Sequence, residues 1–105
     1  MISRVVERGS MLYVFGVTPE PAGDVKDQTR RVLAGIDRLL AGAGSDKSKL
    51  LTAQVSLADM NDLAEHDSVW NEWVDPDNPP LRVCVQAQLV RPEMRVEIMV
   101  TAVKH

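Results

Sequence analysis

Between Asp24 and Gly44 the apolar side chains change their spacing, and no other feature of the chain restricts its fold as much. Val25, Val32, Leu33, Ile36, Leu39 and Leu40 fall on one helical stripe, while Lys26, Asp27, Arg30, Arg31, Asp37 and Arg38 mostly occupy the remainder. Asp24 is placed to accept from the free N–H groups of the first turn, and Gly44 to end the helix. On both sides of this segment the pattern is that of strands. Val5, Val6 and Met11 to Val14 flank Gly9-Ser10, a two-residue connection suited to a tight hairpin, and Gly16 and Pro19 close the second strand. Leu50 to Leu57 predicts a third strand. Asn61 to Val74 predicts a second helix, capped by Asp59 or Asn61 and ended by Asn78-Pro79-Pro80. Arg82 to Leu89 and Arg95 to Val103 predict two last strands, joined by a turn containing Pro92.

The order is therefore ββαβαββ, an α+β arrangement with a mixed β-sheet and two helices on one face. A single domain spanning residues 1–105 is expected, since a chain of this size buries roughly two-thirds of its unfolded surface and needs no disulfide to hold a core. Cys84 is the sole cysteine and can form no intrachain bridge. No apolar run approaches the roughly 20 residues of a membrane span, and Arg4, Glu7 and Arg8 interrupt any signal-peptide pattern, so a cytoplasmic setting without membrane contact is expected.

If the last two strands pair as a hairpin, Val83, Val85, Ala87 and Leu89 join Val96, Ile98, Val100 and Ala102 in a layer facing the helices. The opposite face would then hold Thr52, Gln54 and Ser56, Arg82, Cys84, Gln86 and Gln88, and Arg95, Glu97, Met99 and Thr101. That face is poor in Lys and Glu, which fits cover by another subunit better than free solvation, the ordinary wet sheet face being the alternative.

Charge narrows the partners further. Seven acidic residues and no Lys or Arg lie between Asp59 and Leu81, which suits a solvated helix face and opposes a phosphate backbone. With Tyr13, Phe15, Trp70 and Trp73 as the only aromatic residues, a base-stacking surface is not expected, and no nucleic-acid partner is assigned. No phosphate-binding glycine loop or paired-cysteine metal spacing is present, so neither a cofactor nor a metal is expected. His66 and His105 stand alone, the latter at the chain end, and no serine sits in a nucleophile-elbow context.

What remains is a small group of reactive side chains. Arg82 and Cys84 share a strand face, and the hairpin pairing would bring Glu97 beside them. A guanidinium there suits a carboxylate ligand and a nearby Glu97 could activate water, although an Arg–Glu ion pair knitting the sheet is the simpler alternative. On the second helix, Leu63, Asp67, Trp70 and Val74 lie on one stripe, so Asp67 falls on a face that should be buried and needs a partner. His66 and Trp73 flank that stripe and read as core or boundary residues. Cys84 reads as a small buried hydrophobe rather than a nucleophile.

From Leu12 to Val103 the chain resembles the RidA (YjgF) superfamily of reactive intermediate deaminases. The resemblance is carried by Gln28-Thr29, Ala43-Gly44, the segment Leu57-Ala58-Asp59-Met60-Asn61-Asp62-Leu63, Pro80-Leu81-Arg82-Val83-Cys84-Val85 and Val96-Glu97-Ile98. It implies a chorismate mutase-like homotrimer with a cleft at each subunit interface. It further implies that Arg82 grips the carboxylate of a 2-imino or 2-oxo acid, that Cys84 and Glu97 line the same cleft, and that Glu97 is associated with the hydrolytic water. Gly16 matches a glycine that lets ligand approach the backbone. Phe15 replaces the family's serine, Asp67 replaces its asparagine, and the amino-terminal segment that supplies a tyrosine is missing. The activity so implied is hydrolysis of reactive enamine or imine intermediates of the 2-aminoacrylate type to 2-oxo acids and ammonia. The alternatives are a non-catalytic trimeric binder of 2-oxo acids or related metabolites, and a trimeric interaction protein with a vestigial cleft.

Overall fold

Alternating burial along the middle strand sets the architecture. The computed structural model describes residues 4–16 and 20–104. Pro19, expected to close the second strand, and His105 at the chain end lie outside the described residues. The elements are β1 (Val5–Arg8), β2 (Met11–Gly16), α1 (Val25–Gly42), β3 (Leu50–Leu57), α2 (Leu63–Trp73), β4 (Leu81–Gln86) and β5 (Val96–Val103), with short 3-10 turns at Lys47–Lys49 and Met60–Asp62. They form one five-stranded sheet in the order β1-β2-β5-β3-β4. β5 is its centre and pairs antiparallel with both β2 and β3.

Val96, Ile98, Val100 and Ala102 of β5 are buried with Leu12 and Val14 of β2 and Ala53, Val55 and Leu57 of β3, and the helices cover this face through Val32, Leu33, Ile36, Leu40, Val69 and Trp70. Slipping β5 by one residue would turn Val96, Ile98 and Val100 outward at a cost of roughly 5 kcal/mol or more, comparable to the whole net stability of such a domain. Glu97, Met99 and Thr101 are thereby committed to the open face.

Several expectations are met by specific contacts. The Asp24 carboxylate accepts from Asp27 N–H at 2.9 Å, and Gly44 adopts φ 80° just past α1. Gly9-Ser10 links β1 to β2 with Arg8 opposite Met11 and Gly9 at φ 59°. Asp59 caps the 3-10 turn ahead of α2, accepting from Asn61 N–H at 2.9 Å.

The last two strands depart from expectation. They do not form a hairpin, because β3 lies between them and β4 pairs parallel to β3 as the sheet edge. β4 also ends at Gln86 rather than Leu89. Its faces are the reverse of those expected: Arg82 and Cys84 lie opposite Ala53 and Val55 on the helix side, while Val83 and Val85 are 57% and 44% exposed on the open face. Alternation misleads here because the part of the open face beside β4 carries exposed apolar side chains, Leu81 and Met99 among them, so Val83 and Val85 are accommodated there.

Two buried polar residues of α1 fix its neighbours. The Gln28 amide donates to the carbonyls of Gly23 and Glu93 at 3.3 and 3.0 Å and accepts from Arg95 N–H at 2.8 Å, clamping the start of β5. Thr29 Oγ1 meets His66 Nδ1 at 3.1 Å and joins α1 to α2, while His66 Nε2 is buried without a partner among the described residues. Burial, followed by the positive charge of Arg82 and opposed by Asp67, lowers the His66 pKa to about 4.

Replacing Gln28 by Leu removes three hydrogen bonds and is expected to cost roughly 3 kcal/mol in urea unfolding. A loss under about 0.5 kcal/mol would contradict the clamp. For His66 the unfolded chain takes up the proton first, near pH 6.5, and the folded chain near 4. Its contribution is thus complete above pH 6.5 and is lost toward pH 4, by up to about 1.4 kcal/mol per unit. Unfolding midpoints measured across this window should fall with acid in the wild type and flatten in His66→Gln; parallel curves would refute the assignment.

Candidate functional site

At the β4 edge, on the helix side of the sheet, α2 delivers two side chains to Arg82. Asp67 and Trp70 are one helical turn apart and so face the same way. The Arg82 guanidinium lies over the Trp70 ring at 5.3 Å from its centroid, and its Nη1 is 2.8 Å from Asp67 Oδ1. These two atoms are close yet not aligned as a hydrogen bond, and both are sealed from solvent. The contact is an ion pair held side by side. The side chains as wholes remain 23% and 33% exposed. Asp67 has thus found the partner its buried position demanded, and Arg82 is already in contact with a carboxylate.

Cys84 follows on the same face, half-buried and packed on the core. Burial raises its thiol pKa against the opposing effect of Arg82, so it stays protonated and serves packing rather than attack. Trp73, the other tryptophan of α2, donates from Nε1 to Asp37 of α1 at 2.9 Å and stands 5.4 Å from Trp70, bracing that ring from behind.

Glu97 occupies the other side of the sheet. It lines a depression of 110 Å³ with Phe15, Gln54, Ser56 and Met99. A groove of 460 Å³ runs from there to the β4 edge, bounded by Thr52, Gln54, Leu81, Val83, Met99 and Thr101 and reaching Arg82. A separate hollow of 490 Å³, lined by Ala58, residues 86–92 and Met94, has Arg91 as its one charged lining residue and touches neither Arg82 nor Glu97.

Within one chain, then, Arg82 and Cys84 are together, Phe15 and Glu97 are together, and the two groups sit on opposite faces. The expected single patch of Arg82, Cys84 and Glu97 does not exist in an isolated subunit, because β4 is not the neighbour of β5. Gly16 has a packing reason of its own. A Cβ there would lie 2.7 Å from Ile36 Cγ1 and 3.0 Å from Val32 Cγ1, so its missing side chain makes room for α1. Trp70 went unassigned as a site residue, although its spacing of three from Asp67 was the available signal.

The comparisons with known proteins agree with this architecture. The family model described as Endoribonuclease L-PSP matches residues 2–104. A RutC family protein of Haemophilus influenzae is 44% identical over 103 residues, covering 96% of this chain and 89% of the relative. The RutC family protein YoaB of Escherichia coli is 41% identical over 100 residues, covering 95% and 88%. Among solved structures, a YjgF family protein of Neisseria meningitidis superposes with a TM-score of 0.95 at 46% identity, covering 99% of this chain and 87% of that one. Among the described residues no helix is long and apolar enough to cross a membrane. The chain belongs to the Endoribonuclease L-PSP family, and its relatives are RutC and YjgF family proteins.

Proposed function

We propose that the protein is a homotrimer that binds 2-imino acids in clefts between subunits and hydrolyses them to 2-oxo acids and ammonia. The observation that carries this reading is the state of Arg82. Its guanidinium is held by Trp70 and, at Nη1, by Asp67, while no hydrogen bond from its other donors, Nε and Nη2, forms among the described residues, so that edge of the fork is open to a ligand carboxylate. Glu97 supplies the second half. Since it lies on the opposite face, a substrate held by Arg82 of one subunit would meet Glu97 of the next. The exposed apolar row of Leu81, Val83, Val85 and Met99 is the surface such packing would cover.

The chemistry asks little of the protein. Glu97 takes a proton from water as the oxygen adds to the carbon of the protonated C=N group and returns it to the nitrogen of the carbinolamine; the C–N bond then breaks, ammonia leaves, and the hydroxyl gives up its proton as the carbonyl forms. An imine hydrolyses unaided in water, so positioning supplies most of the effect. RNA cleavage, the activity in the family's description, is disfavoured by the acidic run through α2 and the net charge of −3.

A second reading, a non-catalytic trimeric binder of 2-oxo acids or related metabolites, draws on Phe15. It places an apolar ring in the depression beside Glu97, where a polar group would help hold water.

Calorimetry with 2-oxobutyrate and a coupled assay of imine hydrolysis distinguish the two. Arg82→Ala should lose about tenfold to a hundredfold in affinity through one charge-assisted contact. Glu97→Gln should retain binding while turnover falls by about a hundredfold or more. Binding without turnover in the wild type favours the second reading, and an imine hydrolysis rate unchanged in Arg82→Ala would overturn the first. A monomer at micromolar concentration in solution would remove the interface cleft altogether.

A further inference from the structure

The carboxylate on Arg82 has a consequence for which ligand the site prefers. Nη1 of Arg82 and Oδ1 of Asp67 are turned inward against each other and sealed, and nothing among the described residues bonds the remaining donors of the guanidinium or Oδ2 of Asp67. The accessible side of the pair therefore shows one positive and one negative group next to each other. A simple monoanion meets attraction from the first and repulsion from the second. A ligand carrying both charges on adjacent positions meets attraction from both, with its carboxylate on Arg82 and its cationic nitrogen on Asp67.

A 2-iminium acid is such a ligand, because its protonated imine nitrogen and its carboxylate sit on neighbouring carbons, within about 3 Å of each other by covalent geometry. The 2-oxo acid left after hydrolysis has lost the cation and is a monoanion. We propose that Asp67 is the specificity-determining residue of this site, pairing with the cationic nitrogen of zwitterionic 2-iminium or 2-amino acids and disfavouring 2-oxo acids. This rests on the assignment of Arg82 as carboxylate anchor and adds a second charge to it. The same residue promotes release of product, since loss of nitrogen converts its attraction into repulsion. Asp67 acts on binding and release; the water-activating role stays with Glu97.

The test compares two stable ligands of equal length, 2-oxobutyrate and L-2-aminobutyrate, by calorimetry on the wild type, Asp67→Asn and Asp67→Ser, with circular dichroism confirming that each variant is folded. The wild type should prefer the zwitterion. Both variants should bind 2-oxobutyrate about tenfold more tightly and L-2-aminobutyrate about tenfold more weakly, reversing the preference. If Asp67 merely positions Arg82, both ligands weaken together and the ratio stays put, which overturns the proposal while leaving Arg82 as anchor. If neither ligand binds any of the three proteins, the anchor assignment itself falls, and with it this inference.

Discussion

Everything else in the molecule depends on the two-sidedness of β5. Its apolar residues Val96, Ile98, Val100 and Ala102 all face the helices, and it is bonded to a strand on each side, so it can neither rotate nor slip without exposing the core. Glu97 is carried outward as the complement of that burial. The Gln28 clamp acts at Arg95, the residue just before the strand, so the helix that covers the core also sets where the acidic side chain emerges. Stability and site geometry are here one constraint.

Much of this was legible in the sequence, for identifiable reasons. α1 announces itself because one stripe is apolar and both ends carry their own punctuation, Asp24 and Gly44, which act locally. The hairpin through Gly9-Ser10 is local too. The faces of β3 and β5 were legible because their apolar and polar positions differ strongly. β4 was not. Val83 and Val85 are more apolar than Arg82 and Cys84, and a rule that puts apolar residues inward chooses the wrong face when the outer face is apolar as well. The error spread, since Arg82 and Glu97 were expected side by side only because β4 was drawn beside β5. Strand order depends on a crossover through α2, and such long-range connections leave no periodic trace in the residues they join.

The need of Asp67 for a counter-charge followed from its position on a buried stripe; the identity of that partner did not, because Arg82 had been assigned to the far side of the sheet. The resemblance to the family identified Arg82 and Glu97 as residues of interest but not their relative placement. Conversely, the fold explains Gly16 without any ligand: a side chain would push on Ile36 and Val32.

β4 has one more property. It is an edge strand with one flank unpaired, and Leu81, Val83 and Val85 project from it beside that open flank. Such an edge is a template for adding strands from other molecules. Pro79 and Pro80 stand directly before it and offer no N–H groups, which blunts its entry but not its length. A lone chain therefore presents a row of unpaired backbone groups beside exposed apolar side chains, and edge-to-edge stacking is the hazard that such an edge carries unless something covers it.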